Sequence, residues 1–431
     1  MNILYLSPGN TIPIANNLVR DGHKVYYWPA KEASEGMGLI PIKDWKSYVP
    51  KVDLIVFDDC EGITKPEFEL FTLGKPVVSG NSFFDRLEND RIFGKDIFKK
   101  VGLTISDCAQ FTDLKEAIKF IKKNPDKWVF KANGQGSRTL GYVGKQKDGS
   151  DVIERMAFYE SHLKNNKDMW DKKLGVDFVL ERCVDGIEVA CGAYWDGQDF
   201  TGININWEHK KLGVGNVGVA TGEMGTAIRA VEANSKFYLG TLEKLKPLLR
   251  QFPYRTYVDL NCIVNNDNAY VLEITSRFGY PIEAGLDFMS ALSTADRYML
   301  LGKGQLHKLG NKFWKDKFGV TVVCATFGWP YKVSYKEFGA EQPFKFPEQF
   351  RKNIYLMDVD KVNNHYQTSD DAEGEGHICD VCGSGSSIDE ARDQAFGIIK
   401  KIDLPGIYYR IDIGEKADED YKQMKRWGWL S

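Results

Sequence analysis

Trp128-Val129-Phe130-Lys131-Ala132-Asn133-Gly134-Gln135-Gly136-Ser137-Arg138 is the segment from which the fold can be read. Trp128–Lys131 has the bulky residues of a short strand, and Lys131 stands at its end. A turn rich in glycine and serine follows. Backbone N–H groups in such a turn converge on an anion, and an ammonium adds a point charge. Lys131 with Gly134, Gly136 and Ser137 therefore suits a phosphate. A surface hairpin with a solvated lysine has the same local pattern, so the neighbouring segments must decide.

Downstream, Leu180-Glu181-Arg182-Cys183-Val184-Asp185-Gly186-Ile187-Glu188 reads as strand, glycine turn and strand. Glu181 and the Cys183 backbone could bracket an adenine edge, and Glu188 could accept from ribose hydroxyls. An ordinary hairpin with surface carboxylates is the bland alternative. Further on, Tyr257-Val258-Asp259-Leu260 and Val271-Leu272-Glu273-Ile274-Thr275 are apolar strands that each carry one inward acid. Buried carboxylates are costly unless paired or bound to metal. Antiparallel neighbours would bring Asp259 and Glu273 to shared Mg2+ ions, which take carboxylate and nucleotide phosphate oxygens. Arg277 follows, where a guanidinium could clamp a phosphate or carboxylate bidentately. A buried Glu273–Arg277 ion pair is the alternative there.

The rest of the chain frames these pieces. With 431 residues it calls for several domains, and 43% hydrophobic with 27% charged residues is the balance of a globular protein. A formal net charge of -3 supplies no basic field, so nucleic acid is not indicated as a partner. No apolar run reaches the ~18–20 residues of a membrane helix, and the opening Met1–Ser7 reads as a strand rather than a signal, so a cytoplasmic location is expected. The eight cysteines are scattered. They read as free thiols, with Cys379 and Cys382 structural rather than redox or zinc residues.

Residues 1–103 alternate strand and helix: strands at Asn2–Leu6, His23–Trp28, Asp53–Phe57 and Lys75–Gly80, a helix at Ile14–Asp21 and an acidic turn at Asp58–Gly62. That pattern predicts a Rossmann-like parallel sheet, without a G-x-G-x-x-G fingerprint. A charged helix is predicted over 85–104. An α+β domain over 104–312 follows, with a mobile lid at about 124–190 and a connector at Leu301–Lys308. A small α+β domain over 313–431 has strands at Val320–Ala325 and His377–Val381, a helix at Ile388–Lys401 and a last strand at Tyr408–Ile411. The class is thus α/β and α+β, multidomain.

Taken in order, Lys95 on a helix, Lys131 before its glycine loop, Glu181 and Glu188 on a hairpin, and the Asp259/Glu273 acids make the chain resemble the phosphoribosylamine–glycine ligase (glycinamide ribonucleotide synthetase) family of the ATP-grasp superfamily. Trp128–Val143 resembles its lysine strand and lid loop, and Leu180–Ala190 its "EEFLDGEE" hairpin. Glu208-His209-Lys210-Lys211-Leu212-Gly213 through Thr221-Gly222-Glu223-Met224-Gly225 follows "DHKR-G…TGGMG" without a gap. Val271–Pro281 resembles "VIEFN-RFGDPE", and Arg410–Gly414 its closing Arg-x-Asp-Ile-Gly.

The resemblance implies an N-terminal pre-ATP-grasp domain, a central ATP-grasp domain and an ADP-forming ligase of purine biosynthesis that makes a C–N bond through an acyl phosphate. It implies Lys95, Lys131, Gly134, Gly136, Ser137 and Lys210 around ATP, with Glu181, Cys183 and Glu188 at the adenosine. Asp259, Glu273 and Thr275 would hold Mg2+ (or Mn2+). Arg277 and Lys131 would act in catalysis, and Asn216, Thr221, Gly222, Glu223 and Arg277 would handle substrates. A monomer or homodimer is expected. Departures gather on the substrate side: Asn216 replaces an aspartate, Ala220 an asparagine, Thr275 the asparagine of "EFN", Tyr280 the aspartate of "RFGDPE", and Ser7–Ile12 the "GGREHA" turn. Two further readings follow: a ligase that couples an amino acid to a different amine, such as a modified nucleotide or nucleobase in a viral or secondary pathway, and a nucleotide-binding protein without catalysis.

Overall fold

Strand Asn2–Leu6 lies at the centre of a parallel sheet. Its neighbours run in the order Ile40–Pro41, Lys24–Trp28, Asn2–Leu6, Leu54–Phe57, Val77–Ser79. Leu54–Phe57 is buried at every position, as a strand covered on both faces must be. Tyr5, Val25 and Val56 pack to one side with helix Ile12–Arg20, while Leu4, Leu6, Ile55 and Val77 pack to the other with Trp45. This is the Rossmann-like sheet expected from the alternation. The computed structural model describes residues 1–58, 70–132, 140–165, 177–331, 337, 339–369 and 376–431. Most of the acidic turn Asp58–Gly62 and the loop residues Gly134, Gly136 and Ser137 lie outside the described residues.

Two units emerge. The first comprises Met1–Asp85, Val189–Leu260 and Thr275–Ser431, and the second Arg86–Glu188 and Asn261–Ile274. Besides the parallel sheet, the first unit holds antiparallel strands Phe200–Glu208, Gly225–Ala230, Phe318–Ala325 and His377–Gly385, each paired to the next. Its core includes a buried ion cluster. Arg297 lies 2.8 Å from both Glu283 and Asp287. Glu283 also accepts from Tyr194 at 2.7 Å and Tyr298 at 2.9 Å. Burial pushes Glu283 up to about 7 against the pull of Arg297.

The second unit is built on an antiparallel sheet in the order Cys108–Phe111, Phe178–Arg182, Trp128–Ala132, Tyr142–Val143. Alternation sorts its two faces. Trp128, Phe130, Ala132, Phe178 and Leu180 point into a core with Leu114, Ala117 and Ile121 of helix Leu114–Lys123 and Val152, Met156 and Tyr159 of helix Ser150–Asn165. Asp113 caps the first of these helices, accepting from the N–H groups of Lys115 and Glu116 at 2.7 and 3.0 Å. The residues between, Lys131 and Glu181, belong to the opposite face.

Three expectations are corrected. The helix predicted over 85–104 is two helices, Ser82–Asn89 and Arg91–Lys100. Asp90 is extended and its carboxylate accepts from the Phe93 N–H at 3.1 Å, which starts the second helix afresh. The segment 301–308 is not a plain connector: helix Thr294–Gly302 runs into it, and a 3-10 segment starts at Leu306. Tyr408–Ile411 forms no strand; Tyr408 makes an isolated bridge to Ala325. Among the described cysteines all are free, and Cys379 and Cys382 are buried.

Candidate functional site

In the second unit, Lys131 stands opposite Val179, and Val129 opposite Glu181, on antiparallel strands. A register with Lys131 and Glu181 on one face brings them together diagonally. Lys131 Nζ lies 2.8 Å from Glu181 Oε2. Helix Arg91–Lys100 adds Lys95, whose Nζ lies 3.4 Å from Glu181 Oε1 and donates to the Val271 carbonyl at 3.2 Å. Lys95 and Glu181 side chains are each 3% exposed. Burial pulls the Lys95 ammonium below its ordinary range, and Glu181 opposes that pull. Burial alone would raise the Glu181 carboxyl, but Lys131 and Lys95 outweigh it and hold the carboxyl below its usual range. Two cations on one carboxylate leave a net positive centre inside the unit. An anion with several oxygens, such as a polyphosphate, is the complement of that centre.

One turn before Lys95 on the same helix, Arg91 lies 3.6 Å from Glu273. Glu273 thus has an arginine partner other than the Arg277 expected as an alternative. The Cys183 N–H is donated to the Lys127 carbonyl at 2.8 Å, so the backbone hydrogen bond expected there at an adenine edge is already made within the sheet. Glu188 is exposed.

The remaining candidates belong to the first unit. Asp259 is buried and accepts from Asn206 Nδ2 at 3.0 Å. Burial, then Glu208, pushes it up to about 7. Asp259 and Glu273 therefore fall in different units. Lys210 lies 3.0 Å from Glu208. Thr275 is half-buried, and Arg277 donates through Nη1 to the Phe278 carbonyl at 3.1 Å.

The loop between Glu208 and Gly225 is tied down along its length. His209 N–H donates to Gly225 O at 3.0 Å, Met224 N–H to His209 O at 2.8 Å, and Thr221 N–H to Lys210 O at 2.8 Å. Its outer hairpin is held by the closing motif of the chain. Arg410, 1% exposed, donates to Lys211 O at 2.7 Å and Asn216 Oδ1 at 2.9 Å. The same guanidinium grips Asp412 bidentately at 2.8 and 2.6 Å, and Asp412 accepts from Gly215 N–H at 2.9 Å. Burial would raise Asp412, but Arg410 dominates and the carboxyl falls to about 2. Asn216, with φ 59, occupies the left-handed region that asparagine tolerates. Glu223 is buried, and burial, then Glu208, raises its carboxyl well above the usual range. Gly222 packs under Tyr280, whose hydroxyl meets His377, and His377 Nε2 lies 2.9 Å from Asp380.

Asn204, Asn206 and Glu208 escaped the reading of the sequence, as did His377 and Asp380. The signal for the first three was present: Gly202-Ile203-Asn204-Ile205-Asn206-Trp207-Glu208 alternates apolar and polar with period 2, which puts all three on one face of a strand. His377 and Asp380 meet Tyr280 through tertiary packing, which no local pattern announces.

Residues 89–283 match the model of the phosphoribosylglycinamide synthetase ATP-grasp (A) domain. The chain is 26% identical over 389 residues to a phosphoribosylamine–glycine ligase of Fusobacterium nucleatum, covering 84% of each. It is 26% identical over 343 residues to that of Clostridium acetobutylicum, covering 77% of this chain and 76% of the other. Among solved structures, phosphoribosylamine–glycine ligase from Thermotoga maritima superposes with a TM-score of 0.72 at 21% identity, over 96% of this chain and all (100%) of the other. A biotin carboxylase from Campylobacter jejuni superposes with a TM-score of 0.65 at 11% identity, over 99% and 96%. Residues 89–283 thus match an ATP-grasp domain model, and the chain is similar to phosphoribosylamine–glycine ligases over most of its length.

Proposed function

We propose that the protein is an ATP-dependent, ADP-forming ligase that joins a carboxylate to an amine. A carboxylate oxygen attacks the γ-phosphorus of ATP, ADP leaves, and an acyl phosphate forms. The amine attacks the acyl carbon, the bond from carbon to the phosphate oxygen breaks, and amide, phosphate and a proton are released. The observation that carries this reading is the pair of lysines, buried Lys95 and partly exposed Lys131, on the buried Glu181 carboxylate. Lys95 and Lys131 would spread positive charge over the phosphate oxygens, where phosphoryl transfer needs it. Glu188 is the proposed ribose acceptor. Gly134, Gly136 and Ser137 remain a proposal from the sequence as the cover that keeps water from the acyl phosphate.

Magnesium (or manganese) is the metal the family implies. Glu273 offers the hard carboxylate oxygen such an ion prefers, and Arg91 at 3.6 Å is a weak enough partner to yield it. We assign Glu273 to the ion, whose charge would neutralise the phosphates. Thr275 and Asp259 stand on the other unit.

The amine is proposed to differ from phosphoribosylamine. Asn10, Thr11, Tyr280 and Asp380 line a cavity of about 10 Å3, room for roughly one water. Two of the places where the chain departs from the family pattern, the N-terminal turn and Tyr280, therefore meet in one small space that holds no sugar phosphate as it stands. Thr221, Gly222, Glu223 and Arg277 remain the proposed substrate-side residues. A screen of amino acids against amines, read as ADP release, tests the function, with glycine and phosphoribosylamine as the first pair. Turnover with that pair at least as fast as with any other would remove the claim of a different amine and leave the ligase reading intact.

A further inference from the structure

Among the buried acceptor oxygens of the first unit that have no hydrogen-bond donor are Asn206 Oδ1, Glu223 Oε1 and Asp259 Oδ1. Their residues are 0%, 3% and 2% exposed. The backbone arrangement brings Asn206 and Asp259 together. On strand Ile187–Trp195, Ala190 faces Asn206 and Gly192 faces Asn204. A Cβ on Gly192 would fall 1.8 Å from the Tyr257 hydroxyl oxygen and 3.2 Å from Asp259 Oδ1. The missing side chain lets Tyr257 and Asp259 reach over this strand to the next one. There Asn204 Nδ2 lies 3.2 Å from Tyr257, and Asn206 Nδ2 donates to Asp259 Oδ2 at 3.0 Å. That bond uses the donor end of Asn206 and leaves acceptors only. Glu208 continues the same strand face and pairs with Thr226, and the Met224 N–H bond to the His209 carbonyl at 2.8 Å sets Glu223 beside the end of that strand.

Buried acceptors without donors call for a ligand that brings N–H groups. Carboxyls outnumber the one lysine, Lys210, so the ligand is also cationic. A phosphate would meet repulsion here. Among the described residues no group of three His, Cys, Asp or Glu side chains is disposed to hold a metal ion. We infer that Asn206, Glu223 and Asp259 receive a primary ammonium group of a substrate, its three N–H donors matching their three open oxygens. The ligase reading is needed only to say which molecule carries the ammonium: the amino acid whose carboxylate is activated, or a second amine on the acceptor. This assignment takes Asp259 away from the metal role expected of it.

The test compares matched probes on the wild-type protein, Asp259→Asn and Glu223→Gln, all checked for folding by circular dichroism. Glycine is set against acetate, and propylamine against 1-propanol, by calorimetric binding, and the amine-bearing probes are also assayed for ADP release with Mg-ATP. One ammonium-bearing probe of the two pairs is expected to bind the wild type roughly tenfold or more tightly than its counterpart, and which pair responds identifies the carrier. Asp259→Asn is expected to abolish that preference while the KM for ATP is unchanged. Equal binding within both pairs, or a preference that survives both substitutions, would overturn the inference. If no mixture releases ADP, the ligase reading fails, and calorimetry still decides this one.

Discussion

Two regions of this molecule bury charge, and they do so with opposite sign. Around Glu181 two lysines share one carboxylate, leaving positive charge over. Around Asp259 and Glu223 the acids exceed Lys210, leaving open acceptor oxygens. The first arrangement is closed on itself, with Glu181 answering both cations, and suits an anionic ligand that competes for them. The second is incomplete, and burial together with the neighbouring Glu208 raises its carboxyls. Lys95, Lys131 and Glu181, the phosphate-side residues that the resemblance implied, lie in the first region. The departures at Asn216, Ala220, Thr275 and Tyr280 all fall in the unit that holds the second.

The largest expected effect breaks the first region. Glu181→Ala leaves Lys95 buried without its carboxylate and should cost about 3–5 kcal/mol of stability, measured by urea unfolding. An unchanged midpoint would mean that the buried network does not exist. Lys131→Ala is expected to lower ADP release by roughly 10²–10³-fold while circular dichroism stays that of the wild type. Wild-type turnover would remove the phosphate role of this lysine.

Smaller effects sharpen the second region. Asp412→Asn weakens the charge-assisted bonds that hold the loop hairpin, and a loss of about 1.5–3 kcal/mol is expected. In the wild type the Asp412 carboxyl is depressed, so its contribution is present above its unfolded value near 4 and lost as pH falls toward 2. Asp259 has the opposite sign. Its folded value of about 7 exceeds its unfolded one near 4, so its contribution declines as pH rises from 4 to 7. Thermal melts across that window should fall less steeply in Asp259→Asn than in the wild type. The smallest effect is expected from Asn216→Asp. Aspartate tolerates φ 59 and can still accept from Arg410, so stability and the KM for ATP should barely move, while preference among amines is the property to assay. A large stability change would mean that the Asn216–Arg410 contact is wrongly placed.

The sequence revealed the first region more fully than the second for a physical reason. Lys131 and Glu181 lie on strands with strong alternation, and their order with Lys95 already pointed to a phosphate site. The parallel sheet was legible because Leu54–Phe57 and Asn2–Leu6 are short apolar runs between helical stretches. Asn206, His377 and Asp380 draw their meaning from strands that pair across long sequence separations. Gly192 gains its role only when Tyr257 and Asp259 are seen leaning over it. The split at Asp90 shows the reverse case, a local cap overlooked inside a helical pattern.

Activation of a carboxylate as an acyl phosphate leaves its trace in oxygen transfer. With the best substrate pair from the screen and the carboxylate labelled with 18O, turnover with Mg-ATP should place one labelled oxygen in each phosphate released. Phosphate that carries no label while ADP and amide accumulate would contradict the account.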